Sequence, residues 1–366
     1  MSERYNQQGN RMMKKLLISA AMAALVLGGT PAQAADKLKA CWIYLGAIGD
    51  MGWTFQHNEG VNQVKKELGD KVDTVFVENV PEADAASPIE RLARDGCAII
   101  FTTSFGFMEP TLTVAAKYPK VMFEHATGFK TAPNVTTYNA KFHQGRYVQG
   151  QIAAKMSKSG IAGYIVSFPI PEVVAGINSF MLGAQSVNPA FKIKIIWANT
   201  WFDPGKEGDA AKVLISQGAD IIVQHTDSAA PITVAEQQGK QGFGQSSDQI
   251  KFGPKAQLTA NVDNWGPYYV RRIKELLDGK YKPTESWDGM AEGTVAMAPF
   301  TNMPDDVKAM AQKTYDDIKS GKLDPFTGPI TKQDGSVIGT KGKPLADGDI
   351  LSMNWYVKGI DDKLPQ

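Results

Sequence analysis

Asp50, Trp53 and Thr54 stand close together in LGAIGDMGWTFQHNEG, positions 45–60: a carboxylate, a large flat ring and a hydroxyl. Such groups suit a flat polar molecule, with the ring stacking on a face and the oxygens reading an edge. The glycines at 46, 49 and 52 lack the GxGxxG spacing, and the chain has no GxxxxGKS/T run, so a phosphate cradle is not indicated. They read as turn residues. Aromatic and polar residues are again neighbours at Ser104 and Phe105 (TTSFGFM), Phe168 (SFPIPE), Trp201, Phe202 and Asp203 (NTWFDPG), and His225 and Asp227 (QHTDSAA), with Asp263 in NVDNWG. A buried stacked ring pair contributes on the order of 1 kcal/mol beyond area burial. Each has a plainer reading: Trp53, Phe105, Phe168 and Phe202 as core, Asp50 and Asp203 as helix N-caps. No GxSxG or HExxH occurs, and His57, His125, His143 and His225 lack metal-ligand spacing. The expectation is a binding protein and not an enzyme, with no metal and no cofactor.

The positions of these residues follow from the elements around them. Apolar runs at 39–45, 72–77, 97–102, 121–124 and 135–139 read as strands. Between them, 55–68, 87–94 and 109–118 carry helical periodicity, and a helix at 144–157 follows. The pattern then restarts, with strands at 161–167, 193–197 and 220–223 and helices at 171–187, 206–217 and 230–238. A strand at 255–263 and helices at 268–277 and 305–320 complete it. Alternating strands and helices imply an α/β fold with doubly wound parallel sheets. The candidate residues fall just after strands, where such sheets hold ligands. Two similar halves imply two lobes and a hinge. Residues 35–157 and 258–300 are expected in lobe 1, and 158–257 and 301–366 in lobe 2.

Residues 1–34 read as a cleaved signal peptide, with Arg11, Lys14 and Lys15 before an apolar run and Ala32-Gln33-Ala34 at the cleavage site. Their removal turns 39 basic against 38 acidic residues into a net charge of −2. A nearly neutral chain without a basic block is a poor nucleic-acid binder, and no later segment is long and apolar enough to span a membrane. An exported, periplasmic protein is expected. Its two cysteines, Cys41 and Cys97, are open to a bridge or to two buried thiols.

Four segments resemble the basic membrane protein (BMP) family of ABC-transporter substrate-binding proteins, similar to bacterial purine nucleoside receptor lipoproteins. They are GDMGWTFQHNEG (49–60), the run from HQGRYVQGQ to SVNP (143–189), DPGKEGDAAKVLISQGADIIVQHTD (203–227), and NVDNWGPYYV (261–270) with the tail DPFTGPI and LSMNWYVKGI. The resemblance implies a type I periplasmic-binding-protein fold, a purine between the lobes and an inner-membrane ABC permease as partner. It places the family's ligand-contacting Asp and Phe on Asp50 and Trp53, with Thr54 at its Asn position, and a second ring on Phe202 or Trp201. The family's acidic GVDSDQ-like segment is GQSSDQ here, with Ser246, and no lysine precedes Val262-Asp263. Those charges accompany ribose in nucleoside receptors. Their loss favours a free nucleobase such as adenine. The alternatives are a sugar receptor of the same fold and an exported nucleoside hydrolase.

Overall fold

Parallel pairing buries both faces of a strand, so its sequence is apolar throughout rather than alternating. β1 (Leu38–Ile43) shows this in LKACWI, whose last four residues are buried. With β2 (Val72–Val77), β3 (Ile99–Thr102), β4 (Met122–Ala126) and β5 (Val135–Ala140) it forms a parallel sheet in the order β5-β4-β3-β1-β2. The second half repeats this winding. β6 (Ile161–Val166), β7 (Lys192–Trp197), β8 (Ile221–His225), β9 (Gln241–Ser246) and β10 (Gln257–Asp263) run parallel in the order β10-β9-β8-β6-β7. Each sheet gains one edge strand: β11 (Ser286–Asp288) lies parallel to β5, and β12 (Val295–Met297) antiparallel to β10. The computed structural model describes residues 37–365. The expected signal peptide lies outside them.

Helices occupy the crossovers. α1 (Trp53–Leu68), α2 (Ala86–Arg94) and α3 (Met108–Ala115) belong to the first half, and α4 (His143–Met156) carries the chain towards the second. There α5 (Pro171–Gln185), α6 (Pro204–Ser216) and α7 (Ala230–Gln237) follow β6, β7 and β8. α8 (Gly266–Leu277) packs on α1, and α9 (Asp305–Lys319) packs on α4. One apolar cluster runs through both halves, joining Trp42, Phe101, Tyr138 and Trp265 to Tyr164, Phe180 and Phe243. No helix among the described residues is long and apolar enough to cross a membrane.

Most expected elements agree with the observed ones to within a few residues. Residues 258–300, expected in lobe 1, divide between the two sheets, two of their three strands lying in the second. β10 and β12 are hydrogen-bonded into the second sheet, whereas α8 and β11 pack with the first. The cause is β9. Its sequence, QGFGQS, lacks a β-branched run, so β10 had no visible neighbour. A Cβ on Gly244 would lie 2.8 Å from the Ala260 Cβ, so close strand packing explains a glycine there.

Cys41, on β1, and Cys97, just before β3, are joined in a disulfide with Cα atoms 6.0 Å apart. It closes a loop between residues 56 apart in sequence. Replacing both cysteines by alanine should lower unfolding stability by about 2–4 kcal/mol in denaturant titration. A loss below about 0.5 kcal/mol would show that the covalent link adds nothing to the β1–β3 pairing.

Candidate functional site

In a doubly wound sheet, side chains that face a ligand leave at the carboxyl ends of the strands. A narrow cavity lies where these ends of the two sheets meet. The first half contributes Leu45 and Trp53 after β1, Ser104 and Phe105 after β3, and Thr127 after β4. The second contributes Glu172 after β6, Trp201 after β7, His225 and Asp227 at and after β8, and Gln245 on β9.

Trp53 is fixed on three sides. Its indole Nε1 donates to the Thr103 carbonyl at 2.6 Å. His57 and Trp265 meet its ring edge-on, at centroid distances of 4.4 and 5.5 Å. From the other sheet, Trp201 leans on Phe168 at 5.3 Å and on His225 at 6.5 Å. Two braced indoles therefore line the cavity from opposite sheets. The two halves also touch directly beside it. Ser247 Oγ and Gln249 Nε2 both donate to the Met51 carbonyl, the latter at 3.1 Å. Met51 holds a left-handed backbone with φ of 60°. At the next residue, Gly52, any Cβ would collide with the Asp227 carbonyl oxygen, so this approach admits only glycine.

The polar lining includes two carboxylates, Glu172 and Asp227. Burial first, and then the charges of Asp50, Glu207, Asp263 and Glu172, push the Asp227 carboxyl well above its ordinary range. No hydrogen bond from the described residues reaches its carboxylate to offset this. Glu172 Oε1 lies 3.5 Å from His225 Nε2, while its Oε2 is buried without a partner. Burial lowers the His225 pKa, favouring the neutral ring. A cavity with ring faces on two sides and carboxylates needing donors can hold a flat molecule rich in N–H groups.

Of the expected site residues, Trp53, Ser104, Phe105, Trp201, His225 and Asp227 line the cavity. Five do not. Asp50 is a structural cap: its carboxylate accepts from the backbone amides of Gly52, Thr54 and Phe55, each at 2.9 Å. Thr54 Oγ1 accepts from the Gly46 amide at 3.2 Å and pins the turn. Phe168 supports Trp201 from behind. Phe202 is 37 % exposed, so of the two candidate rings it is Trp201 that reaches the cavity. Asp263 is fully buried away from the lining. Leu45, Thr127, Glu172 and Gln245 are lining residues that sequence reasoning missed. Glu172 stands in the first turn of α5 after β6, in the SFPIPE segment already singled out for Phe168, and its position was the available signal.

Two α/β lobes with a cavity between their strand ends define a bilobed small-molecule binding protein. Residues 37–325 match the family model described as Bmp, ABC transporter substrate-binding protein PnrA-like, and the chain belongs to that family. The family consists of substrate-binding proteins rather than enzymes. The chain is 62 % identical to a purine-binding protein of Brucella abortus (strain 2308), covering 96 % of this chain and all of that one. It is 34 % identical to a Haloferax volcanii protein named as a candidate ABC transporter glucose-binding protein, covering 92 % of this chain and 84 % of the other. The crystal structure of an Aeropyrum pernix K1 ABC transporter solute-binding protein superposes with a TM-score of 0.68 at 17 % identity, covering 78 % of this chain and 92 % of that one. That likeness concerns the fold.

Burial raises the Asp263 pKa to about 8. The folded state therefore holds a proton that the unfolded chain releases near its ordinary pKa of about 3.9. Stability from this group is full below pH 4 and is lost as pH rises through 8. Asp263→Asn should gain more than about 1 kcal/mol relative to the native chain between pH 5 and pH 9, read from denaturant midpoints. Parallel pH profiles for the two proteins would contradict this.

Proposed function

We propose that the protein is the periplasmic receptor of an ABC importer and captures a free purine base, adenine or a close relative, between its lobes. The observation that carries the reading is the pair of carboxylates, Asp227 and Glu172, set in an aromatic-lined cavity without adequate donors of their own. Adenine offers an exocyclic amine and an imidazole N–H. In a nucleoside that ring N–H is replaced by the bond to the sugar. Ser246, where the family carries an acidic residue, supports the same choice. The purine-binding name of the Brucella relative supports the ligand class. The basic and apolar N-terminal segment supports export, and family membership supports delivery to a membrane permease.

A second reading, a sugar receptor, draws on the name of the Haloferax relative, since sugars also offer donors and stack on rings. Calorimetric titration with adenine, guanine, adenosine, guanosine and glucose separates the two. The bases are expected to bind, with the nucleosides weaker by at least about 100-fold, a difference of ~2.7 kcal/mol. Tight adenosine binding with no response to bases would overturn the nucleobase reading, and tight glucose binding alone would establish the sugar reading. Trp53→Ala should weaken base binding roughly tenfold or more through loss of its stacking face. Unchanged affinity would make Trp53 a core residue only.

A further inference from the structure

Arg146, on α4, is wholly buried, and its hydrogen bonds go to two neutral amides rather than to a carboxylate. Nη1 donates to Gln149 Oε1 at 2.9 Å, and Nη2 donates to Gln245 Oε1. Its guanidinium also lies over the Tyr164 ring, 5.8 Å from the centroid. Burying a guanidinium is expensive unless hydrogen bonds and opposite charge offset the loss of water, so the two amide oxygens that it holds are firmly held in return. Gln245 is a lining residue of the ligand cavity. An amide can present its oxygen or its NH₂ group, and the two ends differ only in what their neighbours permit. Guanidinium has donors and no acceptor, so it admits only the amide oxygen on its side. The Gln245 Nε2 then has two hydrogens to place, and one goes to Ser246 Oγ at 3.2 Å.

We infer that Arg146 is a positioning residue that locks the Gln245 amide with its NH₂ group towards the cavity, making Gln245 the donor that reads a ring nitrogen of the ligand. Among the lining side chains, Asp227 and Glu172 call for donors on the ligand, and the locked Gln245 calls for an acceptor. The inference rests on the purine-base reading above and adds to it a rule of selectivity. A base must place one lone-pair nitrogen at Gln245 while its N–H groups meet the carboxylates. Two carboxylates alone would accept a base lacking that nitrogen. His225 does not substitute for Gln245, because its Nε2 lies at Glu172 and its Nδ1 faces α5 near Gly176.

Adenine and its 1-deaza, 3-deaza and 7-deaza analogues, each lacking one ring acceptor, provide the test by calorimetric titration. Against the native protein, one analogue should bind about tenfold or more weakly than adenine, as for the loss of one buried hydrogen bond. Gln245→Met removes the donor and should bring that analogue to within about threefold of adenine. Arg146→Lys retains a cation and a donor and should keep most of the penalty, whereas Arg146→Met frees the amide to turn and should reduce it. Gln245→Glu can pair with Arg146 and so remain folded if the methionine variants do not. It should bind adenine at least tenfold less tightly than the native protein, because a carboxylate cannot donate. The inference is overturned if all three analogues match adenine, if the penalty survives in Gln245→Met, or if Gln245→Glu binds adenine as the native protein does. Failure of adenine itself to bind overturns the purine-base reading and the inference with it, an outcome distinct from adenine binding without a deaza penalty.

Discussion

Two parallel sheets meeting at their carboxyl ends are the constraint on which the rest depends. Parallel strands must be joined by crossovers, so each strand delivers its following loop to the same edge. The two sheets repeat one winding order, and each therefore presents a row of loops. Their contact is tight enough that Gly52 lies against the Asp227 carbonyl and the Met51 carbonyl takes two donors from the other half. The ligand cavity is what remains between those loops. Asp50 serves this arrangement from behind, by holding the turn that brings Met51 and Gly52 forward.

Inside the cavity, burial sets the chemistry. A carboxylate removed from water without donors is destabilised, and it recovers stability only through a proton or a hydrogen-bonding partner. Asp227 is pushed far towards protonation, and Glu172 has a buried oxygen without a partner. The braced indoles of Trp53 and Trp201 supply flat apolar faces, and the Trp53 N–H is already donated to the Thr103 carbonyl. A ligand with N–H groups on its rim can do so. Because the lobes are separate sheets crossed by a few connections, such a ligand would favour the closed arrangement over an open one by its differential affinity for the two.

The parallel architecture was legible because buried strands leave continuous apolar runs, as in 97–102 and 161–167, and the helices between them keep a clear period. The site was legible where a large ring or a charged group followed such a run, as at Trp53, Trp201 and Asp227. Two kinds of information were hidden. β9 was concealed by glycines required for close packing, which removed Gln245 from view and sent β10 to the wrong lobe. The direction of a side chain was the other: Asp50 and Asp227 both follow strands, yet one carboxylate turns back to its own backbone and the other meets the cavity. Sequence position fixes which loop a residue occupies, but hydrogen bonding within that loop decides where its carboxylate points.

On the proposed function, the space between the two sheets holds a purine base by stacking and by donation to buried carboxylates. A crystal structure of the protein grown with adenine tests this most directly. The ring is expected in the cavity lined by Trp53 and Trp201, with its N–H groups within hydrogen-bond distance of Asp227 or Glu172. Adenine bound elsewhere, or a cavity that stays empty at saturating adenine, would contradict it.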